Sequence, residues 1–599
     1  MKQYIFTIEE NCTGCNKCIS VCPVDMANRV YMARDGSRKV MLDNNYCIQC
    51  GSCVVACNHN ARDYLDDTER FFRDLSAQGG EPVSVAVAPA LLTNFPEPEK
   101  LFGWLKSLGV EHIYDVSLGA DIATWAMLKA AKAKNLHSLI TQPCPPIVNY
   151  CEKYCPELIE NLAPVQSPLI CLAIFLRKYQ GFTGKLAFLS PCIGKLQEIE
   201  DLETGGLVQY NVTFDKLWKK LETEGIRLED YPPAGFEGMP SGIGHVYSRP
   251  GGLTETVRIV EPNLWIRQID GTQRSFSYLR EYLERKNANQ VVPALVDILS
   301  CRGGCNLGSG TGKELHVDDI DWKTDRRKEC KEKEQFIRTR DSVVYAPNDF
   351  FDRTLDWEDF TRNYADRNVY GFFEDEDLDT VFGMLKKKTP VSRKINCFAC
   401  GYGSCQRMAQ AIKRGVNIPE SCIDFQRSEF KIDPLTSLLN RRELEKVMNR
   451  LIKWFRESRL HAGDEHRKQA LQNMTLMMMD VDDFKGVNDR FGHDVGDIAL
   501  REVAAAIVKS TRPTDAAGRW GGDEFMVILL NADHKEAEIV SGRIRKAVYE
   551  SDVLPDGERF TTSIGIAEAL ETDDAATLFQ RADQALYEAK KCKQIKTLR

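Results

Sequence analysis

Twenty-one cysteines are spread unevenly over 599 residues. Eight fall in two copies of one pattern, Cys12-x2-Cys15-x2-Cys18-x3-Cys22 and Cys47-x2-Cys50-x2-Cys53-x3-Cys57. Three thiolates at this spacing wrap one 4Fe-4S cubane, while the fourth reaches the cluster of the other copy. The pattern therefore assigns Cys12, Cys15, Cys18 and Cys57 to a first cluster and Cys22, Cys47, Cys50 and Cys53 to a second. A pair of zinc sites is the competing reading, but a closed zinc tetrahedron has no use for interleaved ligands. A third set, Cys397-x2-Cys400-x4-Cys405-x16-Cys422, carries Gly-Tyr-Gly-Ser between its second and third thiols, which permits a tight turn around a cubane. Zinc is the alternative there too.

Acids replace thiols near the end of the chain. An apolar run, Leu476 to Met479, ends in Asp480-Val-Asp-Asp, a strand end suited to a metal-phosphate site. Gly518-Arg-Trp-Gly521-Gly522-Asp523-Glu524-Phe525 follows. Its glycines let backbone approach a phosphate and its acids can hold a divalent cation; an ordinary acidic hairpin is the structural alternative. Between the two regions stand Thr141-Gln-Pro-Cys144, Ser190-Pro-Cys192-Ile-Gly-Lys195-Leu-Gln-Glu198 and Ser300-Cys301-Arg-Gly-Gly-Cys305. Each flanks a strand-like run, where α/β folds build sites.

The elements that must position these residues are legible as periodicities. The runs VSVAVAPAL, HIYDV, LAFLS and ALVDIL alternate with helical stretches from Val83 onward, the pattern of a parallel α/β domain. Gln406 to Arg414 reads as an amphipathic helix. Five cysteines outside the motifs, Cys151, Cys155, Cys171, Cys330 and Cys592, are expected to be packing residues.

The length argues for about four domains. Lys plus Arg number 79 against 87 Asp plus Glu, a net charge of −8, which argues against a nucleic-acid partner. No apolar run approaches the roughly 18 residues of a membrane span. The acidic start carries no apolar signal core, so the expected location is the cytoplasm, where clustered thiols are metal ligands or redox groups.

Residues 1–66 resemble bacterial ferredoxins with two 4Fe-4S clusters, Asn58 standing where a second proline is usual. Residues 83–344 resemble the catalytic domain of iron-only hydrogenases. That resemblance implies Cys144, Cys192 and Cys301 as ligands of the H-cluster cubane, Cys305 as its bridge to a di-iron subsite, and Lys195 and Glu198 as residues around the cofactor. Ser190 takes the place of a methionine that lines the carbonyl side. Pro143 stands where the family has a proton-shuttling cysteine, and Ala120 to Met127 lacks the usual acidic pair. The pattern is similar to the sensory branch of the family. The third cysteine set, within 376–425, resembles a small 4Fe-4S domain of corrinoid iron-sulfur proteins and membrane electron-transfer complexes.

Residues 430–599 resemble the GGDEF diguanylate cyclases, a nucleotidyl cyclase-like α/β fold. The resemblance implies catalytic roles for Asp480, Asp523 and Glu524, with magnesium on these acids and the carbonyl of Val481. GTP would be met by Phe484, Lys485, Asn488, Asp497, Gly521, Gly522 and Lys590. Arg512 and Asp515 match an inhibitory site for the product, while Lys593-Gln594 replaces a usual Gly-Arg. The fold expectation is thus multidomain α/β and α+β. The functional expectation is a hydrogen- or redox-sensing enzyme making cyclic di-GMP from two GTP as a homodimer, with molecular hydrogen or a redox protein as partner and no membrane. A working hydrogenase with a regulatory appendage, or a non-catalytic cyclic di-GMP receptor, are the alternatives.

Overall fold

The computed structural model describes residues 2–77, 79–141, 143–312, 315–338, 343–369, 377–429, 431–460 and 471–597. They divide into two compact units, Met1–Cys422 and Ile423–Arg599. The segments expected at 1–66 and 83–344 thus share one unit with all but the last three residues of the segment expected at 376–425.

In the first unit, strands β1 (Ile5–Thr7), β2 (Asn28–Met32), β3 (Arg38–Leu42) and β4 (Arg62–Tyr64) make two antiparallel pairs, β1 with β4 and β2 with β3. The two cysteine patterns occupy the loops and single helical turns between them. Helix α1 (Thr68–Leu75), between the first two expected segments, buries Phe71 and Phe72 in the core of the second.

Next come β5 (Val83–Val87), β6 (Ile113–Asp115), α2 (Val116–Ala133), β7 (Leu139–Ile140), α3 (Pro145–Tyr154) and α4 (Pro168–Ile174). They are followed by β8 (Lys185–Ser190), α5 (Lys195–Ile199), β9 (Tyr210–Thr213), β10 (Ile266–Asp270), α6 (Thr272–Asn287), β11 (Leu295–Leu299) and α7 (Val317–Gln335). The strands form two parallel sheets, ordered β6-β5-β8-β9 and β10-β11-β7. Every residue of β5 and β11 is buried, which is why those runs are mostly apolar; the exceptions are Ser84 and Asp297, whose carboxylate accepts from Thr254. A second core joins Ile5, Ile48 and Cys50 to Ile147, Tyr150, Phe276 and Val296, so the ferredoxin-like loops and the smaller sheet share one interior.

The third cysteine segment packs on the β2–β3 hairpin. Val30 N–H donates to the carbonyl of Val416 at 2.9 Å, and Arg38 donates to the carbonyl of Glu420 at 2.9 Å. Arg407, on α8 (Cys405–Lys413), pairs with Asp25.

The second unit is one sheet with helices on both faces. Its elements are β12 (Leu439–Asn440), α9 (Arg441–Leu460), β13 (Met474–Val481), α10 (Phe484–Phe491), α11 (His493–Ser510), β14 (Ala516–Arg519), β15 (Glu524–Leu530), α12 (His534–Glu550), β16 (Thr562–Glu568) and α13 (Ala575–Thr597). The strand order is β12-β14-β15-β13-β16. The fully buried β13 is sorted by the two-residue strand period. Met477, Met479 and Val481 join the core under α11 and α12, while Leu476 and Met478 join the core under α9 and α13.

Cys151, Cys155 and Cys171 are buried as expected, whereas Cys330 and Cys592 are exposed. The reading of all five as packing residues is corrected for these two, which lie on outward faces of α7 and α13. No described helix is long and apolar enough to cross a membrane.

Helix α2 approaches α4 through Gly119, where a Cβ would stand 1.9 Å from the carbonyl oxygen of Pro168. Gly119→Ala should therefore cost the first unit about 1–3 kcal/mol through overpacking. Gly383→Ala, which meets nothing within 4 Å, should not. Calorimetry of the two variants checks this.

Candidate functional site

In the second unit, β13 and β15 run antiparallel with Asp480 directly opposite Glu524. Asp523 lies one residue before Glu524, and its carbonyl accepts the N–H of Val481 at 3.2 Å. The β14–β15 tip is closed by Trp520 N–H on the carbonyl of Glu524 at 2.8 Å. Arg519 donates to the carbonyl of Gly522 at 2.7 Å and pairs with Asp433 at 3.4 Å. Sequence reasoning gave these two tip-holding residues no role, because the pair joins positions 86 apart. Gly521 lies against the Glu524 carboxylate, since a Cβ there would come within 2.6 Å of Oε2.

Lys590 reaches from α13 to Asp480 Oδ2 at 2.7 Å. Burial holds the Asp480 carboxyl above its ordinary range against the pull of Lys590, with Asp523 and Asp482 raising it further. Burial, then Asp480 and Asp523, likewise raise Glu524. Carboxylate oxygens brought together by the strand register beside a single lysine are the donor type that magnesium takes.

Phe484 and Lys485 open α10, and Lys485 is exposed. Asn488 on α10 faces α11 at Gly496, where a Cβ would meet Asn488 Oδ1 at 1.9 Å, and Asp497 is the next residue of α11. The side chains of Lys593 and Gln594 lie outside the described residues. Asp515 accepts from Arg512 N–H at 2.7 Å and from Leu530 N–H at 3.1 Å. Its two oxygens close a turn. The exposed Arg512 borders a groove that Arg450 and Val508 also line.

In the first unit, several thiols expected to share a cluster lie near one another. Cys18 feels the charges of Cys12 and Cys15. The Cys57 loop is tied to the first pattern by Lys17 on Asn58 Oδ1 at 3.0 Å and Asn11 on the carbonyl of Asn60 at 3.1 Å. Cys22 feels Cys50, Cys53 and Cys47, the members of the other copy. Burial and then Cys50 push the Cys47 thiol up to about 12. Cys400 feels Cys422 and Cys397, and Cys405 begins α8.

Cys144, Cys192, Cys301 and Cys305 line one cavity of about 90 Å³ together with Lys195 and Pro143. Cys144 follows β7, Cys192 follows β8 and Cys301 follows β11, so three strand ends of two sheets converge there. Burial, then Cys144, Cys192 and Cys305, drive the Cys301 thiol well up, and Cys50 of the ferredoxin-like loop adds to this. Four half-buried thiols lining one cavity are the donor type an iron-sulfur group takes. Lys195 donates to Ser167 Oγ at 3.2 Å and pairs with Glu198, whose side chain is 2% exposed. Ser190 is fully buried, exchanges bonds with the backbone of Cys192 at 3.1 Å, and does not line the cavity. It holds the Cys192 loop instead of taking the lining place of a methionine.

Three family models match the chain in succession. Residues 4–67 match the 4Fe-4S dicluster domain, 81–309 the C-terminal domain of the iron only hydrogenase large subunit, and 430–596 the GGDEF domain of diguanylate cyclases. The chain thus joins ferredoxin-type, iron-only-hydrogenase-type and GGDEF-type regions. Diguanylate cyclase A of Treponema denticola is 43% identical over 122 residues, 20% of this chain and 33% of that protein. Diguanylate cyclase DosC of Escherichia coli is 34% identical over 220 residues, 36% of this chain and 45% of that protein. The chain therefore spans less than half the length of these curated relatives. Among solved structures, the GGDEF domain of DgcB from Caulobacter crescentus in complex with c-di-GMP is 30% identical, covering 27% of this chain and 90% of that one, with a TM-score of 0.24.

If the cavity holds a cubane, Cys301→Ala should lower the iron content of anaerobically purified protein by about four atoms per chain, or about six where a di-iron subsite is attached, since it removes one cluster ligand. Cys151→Ala, at a buried thiol outside the cavity, should leave iron unchanged. Iron and sulfide analysis of both variants tests the distinction.

Proposed function

We propose that the second unit condenses two GTP into cyclic di-GMP, and that iron-sulfur groups held by the first unit control its rate. The observation that carries the reading is the register match of Asp480 with Glu524, beside Asp523 and under Lys590. Magnesium held by Asp480, Asp523, Glu524 and the Val481 carbonyl would neutralise charge developing on the α-phosphate. Lys590 and Lys485 meet the triphosphate. Asn488 and Asp497 meet the guanine edge, the amide donating and the carboxylate accepting. Gly521 and Gly522 admit the phosphates close to backbone, and Asp523 takes the proton of the attacking 3′ hydroxyl. That hydroxyl belongs to a GTP held by a second copy, so the working form is a homodimer. Intact Asp523 and Glu524 speak against a receptor without activity.

The regulatory part rests on the first unit's cysteine sets. Cys12, Cys15, Cys18 and Cys57, then Cys22, Cys47, Cys50 and Cys53, then Cys397, Cys400, Cys405 and Cys422 would each hold a 4Fe-4S cluster. Cys144, Cys192, Cys301 and Cys305 would hold the H-cluster with its di-iron subsite, and such groups supply one-electron redox change. Pro143 at this cavity can pass no proton, which favours sensing of hydrogen or redox state over fast hydrogen turnover. Cys422 is followed at once by the seven-residue helix Ile423–Glu429, which opens the second unit. Coupling of about 1–3 kcal/mol between units would change the rate about 5- to 150-fold.

Glu524→Ala should abolish cyclic di-GMP formation from GTP while leaving iron content unchanged, as read by nucleotide chromatography and metal analysis. Arg512→Ala should relieve product inhibition without lowering the initial rate. In wild type, hydrogen or a chemical reductant given anaerobically should change the turnover of GTP, and Cys422→Ala should remove that change. Identical turnover under hydrogen, reductant and oxidant, with all clusters shown to be present, would remove the regulatory part and leave the cyclase reading intact.

A further inference from the structure

Asp482 lies two residues beyond Asp480, and nothing in the proposed chemistry uses it. It nevertheless has the most complete set of ties in the acidic loop. Its carboxylate accepts from Thr561 Oγ1 at 2.6 Å and from Ser563 Oγ, and its N–H donates to the carbonyl of Thr561 at 2.9 Å. Between those two hydroxyls, Thr562 Oγ1 donates to the carbonyl of Asp480 at 2.9 Å. Consecutive hydroxyl residues at the start of β16 therefore grip the loop from one side. On the other side the Asp523 carbonyl holds the N–H of Val481. The backbone of Asp480, Val481 and Asp482 is thus fixed by neighbours on both flanking strands.

Groups behind metal ligands set ligand orientation, and the two hydroxyl bonds to Asp482 with the backbone bond beside them hold the Asp480–Val481 segment in this way.

We infer that Asp482 is a positioning residue for the divalent cation of the cyclase site, fixing the Asp480–Val481 ligand pair through Thr561 and Ser563. The inference rests on the cyclase reading of the second unit. Removing such an outer partner typically costs about 10- to 100-fold in metal affinity or activity.

The test uses the full chain in three variants: Asp482→Ala, Asp482→Asn, and the double change Thr561→Val with Ser563→Ala. Manganese binding is read by electron paramagnetic resonance in the presence of a non-hydrolysable GTP analogue. Turnover is measured against magnesium and GTP, and thermal unfolding is recorded in parallel. Asp482→Ala and the double variant should each weaken manganese binding and raise the magnesium requirement by about 10-fold or more, with little change in KM for GTP. Asp482→Asn, which keeps the hydroxyl bonds, should recover most of the Asp482→Ala loss. Wild-type manganese affinity and magnesium dependence in Asp482→Ala would overturn the inference. So would loss of folding in Asp482→Ala together with a wild-type double variant, since that would make Asp482 a stability residue only. A wild-type chain that binds manganese but makes no cyclic dinucleotide would sink the cyclase reading instead.

Discussion

Both units bring together groups that repel one another as anions, several of them partly shielded from water. Two unit charges about 4 Å apart repel by roughly 4 kcal/mol at an effective dielectric of 20, comparable to a large fraction of a domain's stability. Such clusters persist only where backbone already fixed by other forces carries them, and where a cation completes them. The architecture of each unit follows from that need.

The two units meet it differently. In the second, the acids sit on adjacent antiparallel strands, so the ladder that pairs Met474 with Leu530 and Asp480 with Glu524 sets their separation. A slip of one residue would turn Asp480 to the other face, and the buried alternation of β13 forbids the slip. In the first unit the thiols lie in loops, which carry no ladder. Packing replaces it. Lys153 donates to the carbonyls of Asn45 and Cys47, Asn149 donates to that of Ile48, and a Cβ on Gly51 would collide with Ser309. The loop of the second pattern is thereby moulded by the hydrogenase-type region, which is why these segments share a unit.

The same contrast decides what could be read from the sequence. Cysteine spacing conveyed the interleaved sets because the cluster's own geometry imposes that spacing on neighbouring residues. The runs at β5, β8 and β11 were legible because parallel strands buried on both faces are predominantly apolar. Interactions between distant positions left no local trace. The grip of Arg519 and Asp433 on the hairpin tip, the hydroxyls of β16 on Asp482, and the packing of α1 into the larger core were invisible for that reason. Cys330 and Cys592 failed for another reason, since the general tendency of free thiols to be buried says nothing about which face of a helix they occupy. Ser190 shows the limit of a resemblance. The position matched, but a short hydroxyl bonds its own loop where a longer side chain would reach the cavity.

Buried and half-buried charges link the cavity to the ferredoxin-like loops. Lys195 pairs with Glu198, Arg362 lies 3.9 Å from Glu198 and 3.4 Å from Asp201, and Arg367 bridges Asp201 at 3.1 Å and Glu152 at 3.5 Å. Glu152 adjoins Lys153, whose ammonium holds the carbonyl of Cys47 at 2.8 Å. Removing one partner from such a network leaves a buried charge uncompensated, which typically costs about 3–5 kcal/mol, so its members keep their places together. The network runs from the cavity lysine to the backbone of a thiol in the ferredoxin-like loops. A change of charge at either end alters the field along a continuous row of fixed ions. Strongly coupled charges of this kind act together, because a change at one member is felt by the next along the row.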